Sequence, residues 1–420
     1  MSPTVDPSTA ATARPLRILQ VSARFRPYVG GTEIHTAEVS AELARRGHQV
    51  TVLTTDLGGD LPADELVDGV PVVRVRAWPR RFDLYVAPGL GRVIGEGSWD
   101  LVHVQGYHTA VAPIALREAQ RRGIPTALTF HSGGHSSRMR NLGRPIHTRL
   151  IARLLRRCDL LIGVSDFEAE LFTQRLGLEP GRIRTIPNGV SSRRNPRADD
   201  DTAGGPSDRA LTDTPDPDDS QDGDGPHLLS IGRLQRYKGH QRIIRAMPRI
   251  LRAEPRTRLT VIGTGPYQDR LERLVRRLGL GASVSFDSVE AGDRERLDRI
   301  MASASAAVFL SEYESHGMAA HEALLAGLPI VVLDATALGR LADDGLARAV
   351  PPMATDGEVA AIVLRTLIEA GESGRTGPPA DQLERLRHSW STIAARLEQA
   401  YGEVVPADID ERPTVHHRAG

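Results

Sequence analysis

The 420-residue chain predicts an α/β protein built from two Rossmann-like domains. Three observations carry that expectation. Short aliphatic and β-branched runs alternate with longer helical patterns, the signature of a parallel sheet covered by helices on both faces. The alternation stops once, across 191–226, and then restarts. The length is more than one ordinary domain needs and comfortable for two, with 40% hydrophobic residues to fill their cores.

In the first half, "LRILQVS" (16–22) reads as a buried strand. A loop holding Gly30 and Gly31 follows, then the helix "TEIHTAEVSAELARRG" and the strand "QVTVLTT". Further strands are "GVPVVRVRA" (69–77), "LVHVQ" (101–105), "PTALTF" (125–130) and "DLLIGVS" (159–165), with helical stretches at 108–122 and 145–157 between the last three. These define an N-terminal domain over 16–190, behind a polar tail at 1–15. That tail is rich in Pro, Ser, Thr and Ala and lacks the apolar stretch of a signal peptide. The segment 191–226 holds ten aspartates, many Gly, Pro and Ser, and almost no large apolar residues. It cannot bury enough surface to offset its ordering entropy, so a disordered acidic linker is expected. Its "DPDD" and "DGD" pieces are read as solvated linker, because an Asp-x-Asp metal motif needs rigid framing beside a strand.

The pattern restarts with the strand "HLLSIGR" (227–233) and helix 239–253. Strand "RLTVIG", helix 266–278, strand "SVSFDS", helix 291–303, strand "AAVFLS", helix 317–326 and strand "PIVVL" follow. This places a second domain over 227–385. Helical segments at 356–370 and 380–402 close the fold, the last (386–405) expected as a crossover helix, with a polar tail at 406–420. Open α/β sheets bind ligands at the carboxyl ends of their strands, so a cleft between the two halves is the expected ligand site.

Composition excludes several classes. Net formal charge is zero, so no global field draws the chain to nucleic acid or acidic lipid. Cys158 is the only cysteine, which rules out an intrachain disulfide or a Cys-based metal cluster and fits a reducing cytoplasm. It is expected to be a small buried residue rather than a nucleophile. No run approaches the roughly 20 apolar residues of a membrane span.

Two stretches carry chemistry. "SEYESHGMAAHEALLAGLPIVV" sets Glu314, Gly317 and Glu322 across a strand–turn–helix junction. Gly317 lets backbone approach a ligand closely, and the N–H groups of Gly317, Met318 and Ala319 would be donors at a helix N-terminus, aimed at an anion. Glu322, inside that helix, could accept from a ribose diol. "GRLQRYKGH" pairs Arg233 with Lys238 in the first strand–helix loop of the same domain. Lys238 is the only lysine in the chain; the other 52 basic residues are arginine. A planar guanidinium fork and a compact ammonium together could neutralise a diphosphate. "GTGP" contributes Gly263 and Gly265 in the next strand-to-helix turn.

At these residues the chain closely resembles the family-4 glycosyltransferases of the GT-B fold. "ESHGMAAHE" matches their Glu-x7-Glu motif and "GRLQRYKG" their Gly-Arg-Leu…Lys-Gly motif. "PYVGG" matches the N-terminal Gly-Gly loop, "ARRGHQVTVLT" the segment after the first helix, and "IPNGV" the end of the first domain. The motifs keep order and spacing over roughly 16–402, apart from the acidic insertion. The resemblance implies a GT-B architecture, with two Rossmann-like domains facing across a cleft and the C-terminal helix crossing back to the N-terminal domain. It implies a retaining, metal-independent hexosyltransferase that needs no cofactor and takes a nucleotide-diphosphate sugar as co-substrate. Arg233 and Lys238 would hold the diphosphate, Glu322 the ribose, and Glu314 the transferred sugar. The backbone from Gly317 to Ala319 would contact sugar and phosphate, with His316 alongside, and Gly30, Gly31, Gly263 and Gly265 would complete the donor site. His131, in "LTFHSGG", matches a histidine near the reacting centre. The acceptor would be a glycan, a lipid-linked sugar or a small molecule.

The chain departs from the family pattern in three places. His316 stands where an aromatic residue is common, Ser191 follows "PNGV" where Asp is frequent, and "LDATALGRLADDGLARAVPP" replaces a Gly-rich, Pro-Glu-containing loop. His103, His108, His131 and His135 gather near two strand ends but fit no zinc spacing, so no metal site is expected. His103 and His108 read as surface or core residues, and His135 as a candidate contact to acceptor or sugar. Arg149, Arg153, Arg156 and Arg157 share a helix face, while Leu150, Ile151, Leu154 and Leu155 fill others; Arg138, Arg140 and Arg144 lie upstream. That face is an ordinary solvated one or a contact for an anionic acceptor at the inner membrane surface. Localisation is therefore expected to be cytoplasmic, with peripheral membrane contact as the sharper form; no nucleic acid is expected as a partner. Two other functions set different demands on these residues. A sugar-nucleotide epimerase would need an acid/base pair at the sugar, and a catalytically silent nucleotide-sugar-binding partner would not need Arg233, Lys238, Glu314 and Glu322 intact.

Overall fold

The computed structural model describes residues 14–28, 30–78, 85–131, 148–190, 225–289, 293–372 and 378–406. The expectations for the acidic linker up to residue 224, the tails at 1–13 and 407–420, His135, Arg138, Arg140, Arg144 and Ser191 lie outside the described residues. The described residues fall into two units. One comprises 14–131, 148–189 and 388–406; the other comprises 190, 225–289, 293–372 and 378–387.

The first unit runs β1 (Arg17–Ser22), α1 (Gly31–Arg45), β2 (Gln49–Asp56), β3 (Asp64–Val67), β4 (Val70–Arg76), α2 (Gly89–Glu96), β5 (Leu101–Gln105), α3 (Val111–Arg121), β6 (Thr126–Thr129), α4 (148–156), β7 (Leu160–Gly163), α5 (Asp166–Leu176) and β8 (Ile183–Thr185). The eight strands are ordered β3-β4-β2-β1-β5-β6-β7-β8. The central strands are covered on both faces, which is why β5, β6 and β7 are buried at every position. β3 is a departure from the all-parallel expectation. It pairs antiparallel with β4 through an Asp68-Gly69 turn with φ of 51° and 80°, a two-residue hairpin whose Asp-Gly signal the reading of "GVPVVRVRA" as a lone strand passed over. α5 starts where Ser165 accepts from the Glu168 N–H (3.2 Å) and ends at Gly177 in the left-handed region, a capped start and a glycine stop. On α4, Ile151 and Leu155 are buried while Leu150 is exposed beside Arg149 and Arg153.

The second unit runs β9 (His227–Ile231), α6 (His240–Ala253), β10 (Arg258–Ile262), α7 (Gln268–Arg277), β11 (Val284–Asp287), α8 (Arg294–Ser303), β12 (Ala306–Phe309), α9 (Met318–Leu325), β13 (Ile330–Leu333), α10 (Thr336–Asp343), β14 (Arg348–Val350), α11 (Asp356–Glu372) and α12 (Ala380–Glu384). Its six strands are ordered β11-β10-β9-β12-β13-β14, all parallel. α6 opens at His240 rather than at Lys238-Gly239; Lys238 closes a short 3₁₀ turn (Arg236–Lys238) ahead of it.

The closing helix is not continuous from 380 to 402. It breaks after α12 and restarts as α13 (Trp390–Gly402), because the Ser389 hydroxyl accepts from the Thr392 N–H (3.1 Å) and caps a new helix. α13 belongs to the first unit and packs on α1. Trp390, Ile393, Ala394, Leu397, Ala400 and Tyr401 are buried at helical spacing, one apolar stripe in which each fully buried large side chain contributes about 1.5–3 kcal/mol. Trp390 packs against Gly189, where a Cβ would come within 2.4 Å of the indole. Glu398 accepts hydrogen bonds from Arg46 Nε (2.7 Å) and from His48 Nε2 (3.3 Å). Among the described residues no helix is long and apolar enough to cross a membrane.

The Tyr401 hydroxyl is buried against His103 Nδ1 (2.7 Å) and Gln20 Nε2 (3.4 Å). Tyr401→Phe leaves both without that partner and should lower stability by about 1–3 kcal/mol. Urea unfolding checks this: the midpoint falls and the slope stays unchanged.

Candidate functional site

In the second unit the chain winds outward from β9 through β10 to β11, then returns to lay β12 on the other side of β9. The loops after β9 and β12 therefore part from one another at a topological switch point, where open α/β sheets hold ligands. The β9 loop carries Arg233 and Lys238; the β12 loop carries Glu314, His316 and Gly317.

The β9 loop is built rigidly. The Leu234 side chain is buried and its N–H donates to Thr264 O (2.8 Å), while Gly232 N–H donates to Ile262 O (2.9 Å). Tyr267 N–H donates back to Leu234 O (3.0 Å). The "GTGP" turn, with Gly263 and Gly265, thus braces the β9 loop from the side. Gly239 has φ of 80°, and a Cβ on it would lie 1.9 Å from Leu310 O, so only glycine allows this approach to the end of β12. Glu312 N–H donates to Tyr237 O (2.7 Å) across the same seam.

Those constraints bring Lys238 Nζ to 2.5 Å from Glu314 Oε1, an ion pair spanning the switch point. Both side chains are largely buried, 17% and 18% exposed. Ser311 Oγ donates to the same carboxylate oxygen (2.9 Å). The ammonium also lies 5.7 Å from the Tyr237 ring centroid, and the Tyr237 hydroxyl accepts from Arg233 Nη2 (3.2 Å). Beneath them His240 bonds to Ser230 Oγ (2.8 Å). Burial pushes its imidazole down to about 4, partly offset by its hydrogen bond to the Arg233 backbone.

Gly317 caps α9 with φ of 81°, and a Cβ there would meet Leu338 at 2.5 Å. The helical ladder begins with Ala320 and His321 donating to Gly317 O (2.9 and 3.1 Å). The amides of Gly317, Met318 and Ala319 precede that ladder, at the positive end of the helix. Glu322 is the fifth residue of α9 and half-buried. His316, one of the chain's departures from the family pattern, stacks on His321 with centroids 4.2 Å apart and planes 8° from parallel. The Glu314 backbone is held from α10: its N–H donates to Thr336 Oγ1 (3.0 Å) and its carbonyl accepts from Ala337 N–H (3.3 Å).

In the first unit, Gly30 and Gly31 sit at the start of α1, after β1, with Gly30 in extended backbone. His131 follows β6 with φ of 41° and is buried. Its Nε2–H donates to Gln105 Oε1 (2.8 Å), and Gln105 Nε2 donates to Gln20 Oε1 (2.8 Å). Gln20 reaches Tyr401, Tyr401 reaches His103, and His103 Nε2 reaches Thr129 Oγ1 (2.8 Å). A satisfied polar chain therefore runs from α13 through three strands to His131. The His131 ring packs edge-on against His35 (4.6 Å), which in turn meets Trp390 (5.8 Å). His103 is thus a core histidine, while His108, half-buried, packs beside Tyr107 (4.1 Å). Cys158 is buried and its thiol is pushed up to about 12 by desolvation, which makes it inert as a nucleophile.

Sequence reasoning missed Gln20, His35, Gln105, Ser311, Thr336 and Tyr401. Gln20 and Gln105 left a signal, being polar amides inside the apolar strand runs "RILQVS" and "LVHVQ". The others left none that periodicity or composition could reveal.

This architecture and these motifs define a GT-B glycosyltransferase. Residues 29–194 match Glycosyltransferase Family 4 and residues 215–372 match Glycosyl transferases group 1. The chain is 30% identical over 414 residues to a glycogen synthase of Mycobacterium tuberculosis, covering 92% of this chain and 94% of that one. It is 27% identical to a GDP-mannose-dependent alpha-(1-6)-phosphatidylinositol monomannoside mannosyltransferase of Mycolicibacterium smegmatis, with coverage of 84% and 86%. Among solved structures it is similar to Anabaena HepE in complex with UDP and glucose (TM-score 0.69, 18% identity, coverage 92% and 99%). The chain belongs to the family-4, group-1 glycosyltransferases: it is a hexosyltransferase-type enzyme that moves sugar from a nucleotide-sugar donor. The epimerase and silent-partner readings give way to that membership.

His35, His103, His227 and His240 are all pushed below the usual 6.5, to about 4, 3, 4 and 4, chiefly by burial. Each is neutral in the folded chain and takes up a proton on unfolding near pH 6. Stability from these groups is therefore complete above their unfolded pKa and drains away as pH falls from about 6.5 towards 4. Thermal melts at pH 7.5, 6 and 5 should show a falling Tm; a flat profile would contradict the burial of neutral rings.

Proposed function

We propose that the enzyme is a retaining, metal-independent hexosyltransferase whose leaving diphosphate is stabilised by Lys238 and Arg233. The observation that carries this reading is the Lys238–Glu314 pair across the switch point, beside the α9 amides. An ammonium has three donors. With one spent on Glu314, it still has donors to offer an incoming phosphate, and the carboxylate fixes where they point. Arg233, exposed beside it, supplies a planar fork. The amides of Gly317, Met318 and Ala319 are directed at the sugar and phosphate oxygens, and Glu322 accepts from the ribose hydroxyls. Fixed cations and dipoles aimed at developing charge supply what a divalent ion would otherwise supply.

The chemistry then balances without a protein nucleophile. The bond from the sugar's anomeric carbon to the phosphate oxygen breaks through an oxocarbenium-like transition state. The acceptor hydroxyl oxygen bonds to the same face of that carbon, and its proton passes to the departing diphosphate. Glu314 lies beside the transferred sugar. In this reading the Gly263–Gly265 turn braces the β9 loop, and His131 and the Gly30–Gly31 turn are the first unit's donor-handling residues. The acceptor is read as a glycan or lipid-linked sugar, with the arginine face of α4 suited to an anionic one.

The test is release of nucleoside diphosphate from a donor panel that includes UDP-glucose and GDP-mannose, with and without acceptor. Release is expected to depend on acceptor, keep the anomeric configuration of the donor, and persist in EDTA. Lys238→Ala and Glu322→Ala should each lower kcat/KM about a hundredfold or more with the fold intact. Lys238→Arg should also be impaired, because a planar fork does not fit the ammonium's place against Glu314. Wild-type turnover in Lys238→Ala would overturn the diphosphate role.

A further inference from the structure

Among the described residues three non-glycine positions have positive φ: Asp68, His131 and Thr336. Asp68 lies in a hairpin turn that calls for such a backbone. Thr336, at φ of 60°, is different. A β-branched residue is the type least suited to the left-handed region, where its Cβ crowds the neighbouring carbonyl. It occurs just after β13, past a tight turn in which Ala335 N–H donates to Leu333 O (2.7 Å), and it begins α10.

What accompanies the strain is a two-point grip on one residue. Thr336 Oγ1 accepts from the Glu314 N–H (3.0 Å), and the next amide, Ala337 N–H, donates to Glu314 O (3.3 Å). Returning Thr336 to an ordinary backbone region would swing both groups away from Glu314. The same Glu314 sends its carboxylate to Lys238 Nζ (2.5 Å) and Ser311 Oγ (2.9 Å). An unstrained loop would need only a glycine here. A threonine held at positive φ is accounted for if its hydroxyl is needed where that backbone puts it.

We propose that Thr336 is a positioning residue for transfer: its strained backbone and hydroxyl fix the Glu314 peptide so that the carboxylate meets Lys238. The proposal rests on the role given to Glu314 under the proposed function. It predicts that turnover and stability separate in Thr336→Gly, which a merely structural brace would not do.

The experiment uses the full chain with Thr336→Gly, Thr336→Ala, Thr336→Ser and Glu314→Gln. Tm, and kcat and donor KM for acceptor-dependent diphosphate release, are measured for each. Thr336→Gly relieves the strain as it removes the hydroxyl, so Tm should stay within about 3 °C of wild type while kcat falls roughly tenfold and donor KM moves much less. Thr336→Ala keeps the strain and loses the bond, so both Tm and kcat should fall. Thr336→Ser keeps the hydroxyl and should hold kcat within about twofold of wild type. Wild-type kcat in Thr336→Gly and Thr336→Ala, with Glu314→Gln strongly impaired, overturns the positioning role. Wild-type kcat in Glu314→Gln instead brings down the role of Glu314 itself.

Discussion

The second unit is organised around one ion pair, Lys238 with Glu314, set where the sheet reverses its winding. Two charges withdrawn from water cost free energy unless each meets the other with good geometry and further hydrogen bonds. Here Ser311 supplies the extra donor and the Tyr237 ring the second face for the ammonium. Much of the surrounding backbone serves that meeting. Gly239 lets the β9 loop touch the end of β12, the Thr264 and Tyr267 contacts hold the loop from the side, and the start of α10 holds Glu314 from behind. Because that backbone is packed on several sides, it cannot readily shift to admit a larger head group. This gives a physical reason for a single lysine in a chain whose other basic residues are arginine.

The first unit depends on a different device. Its sheet carries amides and imidazoles through the interior, joined in one hydrogen-bonded chain from Tyr401 to His131. Each member has a donor or acceptor counterpart, so the network costs little and orients the rings uniquely. The C-terminal helix is therefore more than a strap. Its stripe covers α1, and its tyrosine closes the polar chain whose far end is the histidine after β6.

Much of this was legible in the sequence, for reasons that differ by element. Buried parallel strands leave continuous apolar runs, so the sheet strands from β9 to β13 were readable within a residue or two. The antiparallel β3 was missed because "DELV" is short and half exposed at a sheet edge, where burial leaves little pattern. The break before α13 was missed because a single serine cap interrupts a helical periodicity that otherwise continues. Arg233, Lys238, Glu314 and Glu322 could be named because cations and carboxylates at strand ends are chemically conspicuous. Thr336 could not, since its importance lies in a backbone angle and in a partner 22 residues away. Gln105 acts on His131 across 26 residues, and only the register of β5 against β6 brings them together.

The central claim is that Lys238 and Glu314 act as one unit. A double-mutant cycle on kcat/KM, with Lys238→Ala, Glu314→Ala and both together, measures this directly. Acting as a unit, they should give a double variant little worse than the poorer single one, with a coupling of about 1.5 kcal/mol or more. Losses that simply multiply would show two independent residues and contradict the account.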